Sequence, residues 1–251
     1  MPGAKANRIL FVVFLVLLSV RSVWSQQLNY QEIFGSDWDK ALLFVEKNRN
    51  WIEPKLAEYH ISYPVAVAVI FPELVRYSAL RDKIEITLLK ALYINLGEEY
   101  ANFSIGPFQM KPSFGETIRE KARSAMGSKA GKLFKMKSDY DDIANYRASI
   151  VTDLENPETQ LNYLIAFIRI CENNFNLKLK NNEARVIFLA TAYNYGFWKS
   201  AEQIEKMSDS KFFRTTILKT ENYSYSDVSL FWYHSNAGRI QKEEPSNKKE
   251  Q

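Results

Sequence analysis

The spacing of apolar residues is the feature that most constrains the fold of this chain. Apolar side chains recur at intervals of three and four along most of its length, which is the pattern of helices that bury one face. This spacing predicts helices within the following segments: residues 37–60, 83–97, 156–175, 182–196, 201–207 and 226–233. We therefore expect a mainly α fold.

Residues that start or stop helices bound several of these segments. Asn156 is placed to cap a helix whose first turn carries Pro157, and Asn182 is a candidate cap for the following helix. Gly97 and Gly196 each follow an apolar stretch, where a glycine commonly ends a helix. These signals predict the limits of the helices more sharply than spacing alone.

Two places are predicted to break the helical pattern. Pro54 is expected to interrupt the first helix, because proline has no backbone N–H to donate. Residues 127–145 are polar and rich in lysine and aspartate, which predicts a long surface loop. Such a loop is either a lid at a binding edge or a solvated excursion, and the sequence leaves both open.

The composition indicates that an apolar core, and not a disulfide bond, stabilises the fold. The 251 residues are 46% hydrophobic and 14% aromatic, which is enough for the core of one compact domain. Cys171 is the only cysteine, so no intramolecular disulfide forms. Its apolar neighbours predict a buried, inert thiol; the alternative, a nucleophile, would need His60 or His234 as its base. Two histidines and one cysteine do not favour a structural zinc site, and we expect no metal and no cofactor.

The two ends of the chain differ from its middle. Residues 1–25 have a basic start, an apolar run at Ile9–Val20 and a plausible cleavage site before Gln26, which predicts a secretory signal peptide. A retained anchor is the alternative, but the run is shorter than the roughly 20 residues that span a bilayer. We expect one domain in residues 26–241, without an integral membrane segment after cleavage, and a disordered tail in 242–251.

The predicted cleavage changes the interpretation of the basic charge. It removes Lys5, Arg8 and Arg21 and no acidic residue, so the formal charge falls from +4 by three, to +1. A chain this close to neutral does not favour a nucleic-acid partner.

Three short motifs carry a resemblance to a known family. "VAVIFPE" ends in Glu73, "GPFQM" spans residues 106–110, and "ATAYNYG" spans residues 190–196. Their order and content resemble soluble lytic transglycosylases and goose-type lysozymes, in which an apolar helix ends in a catalytic glutamate. A Gly-Leu-Met-Gln loop and an Ala-Ala-Tyr-Asn-x-Gly helix then follow. The motif core covers residues 64–198, and the resemblance implies a lysozyme-like helical domain with a sugar-binding cleft.

The resemblance implies a peptidoglycan lytic transglycosylase, exported to the periplasm or secreted by a bacterium, that cleaves the MurNAc-GlcNAc β-1,4 bond and forms 1,6-anhydroMurNAc. Glu73 would act as general acid and then as general base, without a second carboxylate. Its apolar sequence neighbours fit such a role, because they would raise the pKa of the carboxyl group. Residues expected to bind the glycan strands are Gly106, Phe108, Gln109, Met110, Tyr193 and Asn194.

Departures from the family pattern leave alternatives open. Leu74 stands where the family has a serine beside its glutamate, so the supporting hydrogen bond would have to come from elsewhere, for example from Tyr77 or Ser78. One alternative is a hydrolysing muramidase, with its base among the nearby acidic residues Asp82, Glu85, Glu98 and Glu99. Another is a noncatalytic peptidoglycan-binding or assembly protein of the same fold.

Overall fold

The computed structural model describes residues 28–79, 86–215 and 221–243 of the chain. The chain divides into a short N-terminal unit, residues 1–33, and a main unit, residues 34–251. The predicted signal peptide lies outside the described residues, as do residues 244–251 of the predicted tail. The last helix ends at Glu243, so the first two residues assigned to that tail are helical.

The described part of the chain is mainly α-helical, as predicted. The helices in chain order are α1 (Tyr30–Phe34), α2 (Ser36–Glu58), α3 (Tyr63–Ala79), α4 (Ile86–Leu96), α5 (Pro112–Met126), α6 (Ile143–Glu155), α7 (Pro157–Phe175), α8 (Asn182–Tyr195), α9 (Ala201–Lys206) and α10 (Tyr225–Glu243). Short 3₁₀ helices occupy Gly127–Lys132, Lys137–Asp139 and Leu177–Leu179. Two strands, β1 (Lys211–Phe213) and β2 (Tyr223–Ser224), pair in antiparallel fashion. None of the helices among the described residues is long and apolar enough to cross a membrane.

Several predicted helix limits are confirmed. The Asn156 side chain accepts a hydrogen bond from the N–H of Glu158 at 2.8 Å, and Pro157 opens α7. Helix α4 ends one residue before Gly97, and the N–H of Gly196 closes α8 by donating to the carbonyl of Ala192. The cap predicted at Asn182 was wrong by one residue, because Asn181 accepts from the N–H of Ala184 at 2.8 Å.

Both predicted breaks in the helical pattern were wrong. Helix α2 continues through Pro54 without interruption to Glu58. The segment predicted as a long loop contains two 3₁₀ helices, and α6 begins before its end. It is held down by buried apolar side chains, among them Phe134, whose ring stacks on Tyr163 of α7 at 5.1 Å. Helices α5 and α6 were not predicted; the buried face of α5 includes the charged Arg119, and α6 begins inside the segment predicted as a loop.

Helix α3 forms the centre of the core. All its side chains from Tyr63 to Val75 are buried, and it packs against α2, α8 and α10. The ring of Phe71 contacts Trp38 at 4.6 Å and stacks on Trp232 at 5.3 Å. A helix that is apolar all round needs such complete cover. The same composition in isolation also fits a buried strand, and only packing decides between them.

The single cysteine lies in the core as predicted. Cys171 belongs to α7 and is fully buried. Burial raises the pKa of its thiol, with a further contribution from the neighbouring Glu172. A thiol that does not ionise is a poor nucleophile, which supports the inert alternative.

Candidate active site

A single cleft of about 530 Å³ brings together residues from all three motifs. Glu73 comes from α3, Gln109 and Met110 come from the loop before α5, and Tyr193 and Asn194 come from the end of α8. These residues are separated by up to 121 positions in the chain, Glu73 to Asn194. Their convergence follows from the packing of α8 against α3.

Glu73 is the buried acid of this cleft. It lies within α3 rather than at its end, and the residue is only 4% exposed. Burial raises the pKa of its carboxyl group to about 6. Arg76 and Lys111 act in the opposite direction, but their effects on the pKa are smaller than that of burial. A carboxyl group with this pKa is partly protonated near neutral pH and is able to donate a proton to a bound molecule.

Arg76 is the direct partner of Glu73. Its Nη1 donates to both carboxylate oxygens at 3.0 Å, and its Nε donates to the carbonyl of Arg214, also at 3.0 Å. The guanidinium lies over the ring of Phe213, 4.6 Å from its centroid. The sequence analysis missed this residue, although its spacing of three positions from Glu73 on one helix was a sufficient signal.

The predicted support for Glu73 was therefore wrong. Tyr77 and Ser78 line a separate cavity of about 210 Å³ together with Leu74. Leu74 and Ser78, one and five positions after Glu73, lie on other sides of the helix. Tyr77, four positions after it, shares the side of Glu73 but lines that separate cavity and not the cleft. Arg76, not a hydroxyl group, holds the carboxylate.

The loop that carries Gln109 is a tight turn. Ile105 and Met110 exchange two backbone hydrogen bonds, of 2.9 and 3.2 Å, so the ends of the turn face each other. Gln109 has a φ of 49°, which non-glycine residues rarely adopt. Its Nε2 donates to the carbonyl of Gly106 at 2.7 Å, and its side chain lines the cleft.

Gln160 of α7 secures this turn from behind. Its Nε2 donates to the carbonyl of Ile105 at 2.6 Å, and its Oε1 accepts from the N–H of Phe108 at 3.1 Å. The side chain is fully buried. No sequence motif marks it, because the contact joins segments more than 50 residues apart.

The predicted roles of Gly106 and Phe108 need correction, since neither lines the cleft. Gly106 has a φ of 65°, and a Cβ on it would lie 2.6 Å from Nε2 of Gln160 and 2.7 Å from the carbonyl oxygen of Leu154. The glycine therefore allows the turn to approach the end of α6 and the Gln160 side chain of α7, not a ligand. Phe108 is fully buried and contacts Phe44, so it is part of the core and not of a sugar-facing wall.

Tyr193 and Asn194 lie where α8 reaches the cleft. The Tyr193 hydroxyl donates to the carbonyl of Phe108 at 2.7 Å, so it is bonded to the turn and not to Glu73. Burial, and then the charge of Glu73, raise the pKa of that hydroxyl. Asn194 is exposed at the edge of the cleft.

Aromatic residues after α8 divide between cleft and core. Trp198 is 53% exposed and lines the cleft, as does Tyr195, whereas Phe197 is buried. Gly196 has a φ of 128°, and a Cβ there would lie 2.8 Å from the ring of Trp198. The glycine thus lets the indole lie against the backbone at the edge of the cleft.

A second carboxyl group also lines the cleft. It belongs to Glu98, which follows α4 and is exposed; the neighbouring Glu99 is not among the lining residues. The other two acidic candidates, Asp82 and Glu85, lie outside the described residues. Within the described ranges, no group of three or more His, Cys, Asp or Glu side chains is arranged to hold a metal ion.

Comparison with protein-family models, with curated proteins and with solved structures gives no match for this chain. The function must therefore be argued from the chemistry of the cleft.

Proposed function

We propose that this protein is a peptidoglycan lytic transglycosylase with a lysozyme-like fold, and that Glu73 is its catalytic acid and base. The observation that carries the proposal is a buried carboxyl group with a pKa of about 6 inside a cleft large enough for sugar residues. A carboxyl group whose pKa is raised by burial and which lies in a cleft is a candidate for catalysis.

The proposed reaction uses one carboxyl group twice. Protonated Glu73 gives its proton to the glycosidic oxygen while the bond from that oxygen to C1 of N-acetylmuramic acid breaks. The acetamido oxygen of the same sugar stabilises the positive charge that develops at C1. The Glu73 carboxylate then takes the proton of the C6 hydroxyl as O6 bonds to C1, which closes the 1,6-anhydro ring and restores the acid.

The lining of the cleft suits an acetylated sugar. Gln109 retains a carboxamide oxygen beyond its bond to Gly106, and Asn194, which also lines the cleft, offers a donor and an acceptor. Trp198 and Tyr195 present aromatic faces on which a sugar ring packs. Export to a bacterial periplasm or beyond belongs to the same proposal and depends on the sequence of residues 1–25.

Hydrolysis is the second candidate function, because Glu98 lines the same cleft. In this alternative Glu98 activates a water molecule and the product has a reducing end. The noncatalytic alternative is supported only by Leu74, and it leaves the buried Glu73 without a purpose.

The test is a digest of purified sacculi, with the products identified by mass spectrometry. The variants are Glu73→Gln, Glu98→Gln and, as a matched control on the neighbouring exposed residue, Glu99→Gln. We expect anhydromuropeptides from the wild type, from Glu98→Gln and from the control, and none from Glu73→Gln. Reducing-end products that vanish in Glu98→Gln would select hydrolysis, and no release by any form would select the binding protein.

A further inference from the structure

Two positive side chains line the cleft together with its acid. Arg76 lines the cleft as well as holding Glu73, and Lys111 lines it and lowers the pKa of the Glu73 carboxyl. Lys111 is exposed and forms no part of the core. Arg76 offsets the charge of Glu73, but a cleft that only had to accept neutral sugars would not require Lys111 as well.

The start of α5 adds to this positive region. Lys111 precedes the helix and provides no side-chain cap, and the first-turn residues Ser113 and Phe114 line the cleft. Backbone N–H groups at the start of a helix lack partners within it and favour anions. This feature alone does not define a site, but it reinforces the charges of Arg76 and Lys111.

The ion pair also conflicts with the proposed chemistry. A general acid must carry a proton when the substrate binds, whereas Arg76 stabilises the ionised form of Glu73. An anion that binds Arg76 in place of Glu73 removes that stabilisation and places a second negative charge nearby. Both changes favour the protonated acid.

We propose that the preferred substrate carries a free carboxylate on the sugar at the cleaved bond, and that this carboxylate binds Lys111 and replaces Glu73 as the partner of Arg76. The inference rests on the proposed function. In peptidoglycan such a group is the lactyl carboxylate of N-acetylmuramic acid, which is free only where no peptide is attached. The enzyme would then act on strands already stripped of peptide by an amidase-type reaction.

Every charged or titratable group around Glu73 bears on this exchange. Arg76 lies on the same helix, Lys111 comes from the start of α5, and Tyr193 comes from α8. Tyr225 of α10 is buried with its hydroxyl bonded to the carbonyl of Val69, and Glu98 lines the cleft. The tyrosine hydroxyls are neutral at physiological pH, because burial raises the pKa of both. Among the described residues that line the cleft, Glu98 is the acidic side chain besides Glu73, and its charge is expected to oppose the substrate carboxylate.

The test uses the full chain and three forms of one glycan. These are strands stripped of peptide, the same strands with the lactyl carboxylate reduced to an alcohol, and strands that retain their peptides. Binding is measured by calorimetry, and cleavage by release of soluble fragments. We expect stripped strands to bind about tenfold more tightly than the other two forms, since charge-assisted hydrogen bonds are lost with the carboxylate.

Variants assign the preference to residues. Arg76→Gln and Lys111→Gln should each reduce it, whereas Arg123→Gln, which removes a charge outside the cleft, should preserve it. Circular dichroism checks the fold; if Arg76→Gln unfolds, Lys111→Gln decides the question, because its side chain is exposed.

The outcomes separate this inference from the proposed function. Equal binding of stripped and reduced strands overturns the inference, as does a preference that survives in Lys111→Gln. Peptide-bearing strands that bind as tightly as stripped ones also overturn it, because the recognised carboxylate would then lie on the peptide. Preferential binding without cleavage of any form rejects the transglycosylase alone, and cleavage without preference rejects the inference alone.

Discussion

The hydroxyl of Tyr193 donates a hydrogen bond of 2.7 Å to the carbonyl of Phe108 and so joins α8 to the turn that carries Gln109. Both partners are buried. The bond connects two of the sequence motifs across 85 positions of the chain. It gives the tyrosine a structural role at the wall of the cleft.

Tyr193→Phe should destabilise the protein because it leaves the Phe108 carbonyl without its donor. The expected loss in the free energy of unfolding is about 1–3 kcal/mol, measured by chemical denaturation. Tyr195→Phe is the control, since that residue is exposed and its loss should stay within about 0.5 kcal/mol. Equal losses in both variants would show that the bond to Phe108 adds no stability.

Gly106→Ala should destabilise the protein by more than the positive φ at position 106 explains. Gly106 and Gly127 have φ values of 65° and 59°, so alanine is strained at either position, by about 1–3 kcal/mol. Only at position 106 would the new Cβ meet a backbone oxygen, that of Leu154, at 2.7 Å, whereas nothing lies within 4 Å at position 127. We therefore expect a lower midpoint of unfolding for Gly106→Ala than for Gly127→Ala. Similar midpoints would contradict the close packing of the turn against the carbonyl of Leu154 in α6.

Activity should decline as pH rises above about 6. Burial raises the pKa of Glu73 to about 6, and above that value the fraction of acid falls about tenfold per pH unit. The pH profile of kcat/KM on purified glycan strands measures this decline, which is called the alkaline limb of the profile below. A limb near the ordinary pKa of glutamate would contradict the burial of the catalytic group.

Arg76→Gln should move the same limb to higher pH. Arg76 lowers the pKa of Glu73 through its charge and its hydrogen bonds, so its removal raises that pKa further. Arg76→Lys keeps the charge and serves as the control, with a limb closer to that of the wild type. A limb that moves to lower pH in Arg76→Gln would show that the arginine does not act on Glu73.

Glu73 should also make stability depend on pH. Its pKa is raised from 4.5 to about 6 in the folded protein, so the folded state binds the proton more tightly. The contribution of Glu73 to stability is therefore greatest below about pH 4.5 and is lost as pH rises through about 6, by roughly 2 kcal/mol in total. The difference in unfolding free energy between the wild type and Glu73→Gln, measured from pH 4 to pH 7.5, isolates this contribution. A difference that is constant with pH would contradict the raised pKa.

Local sequence determined much of the helical framework. The cap at Asn156 and the glycine after α4 act over a few residues, and the apolar composition of α3 determined that it would be buried. The apolar neighbours of Glu73 likewise predicted the direction of its pKa shift. Pro54 and residues 127–145 were misjudged because tertiary packing overrides weak local preferences.

Only the tertiary structure decided how the cleft is built. Gln160 bonds to the turn across 52 and 55 positions, and Arg76 is held by the carbonyl of Arg214 across 138 positions. Packing also placed the Phe108 side chain in the core, whereas the neighbouring Gln109 lines the cleft. Helical spacing and caps are short-range properties that a chain carries in its residue order. The hydrogen-bond partner of a buried polar group depends on which distant segment packs beside it. That choice is made only when the tertiary structure forms.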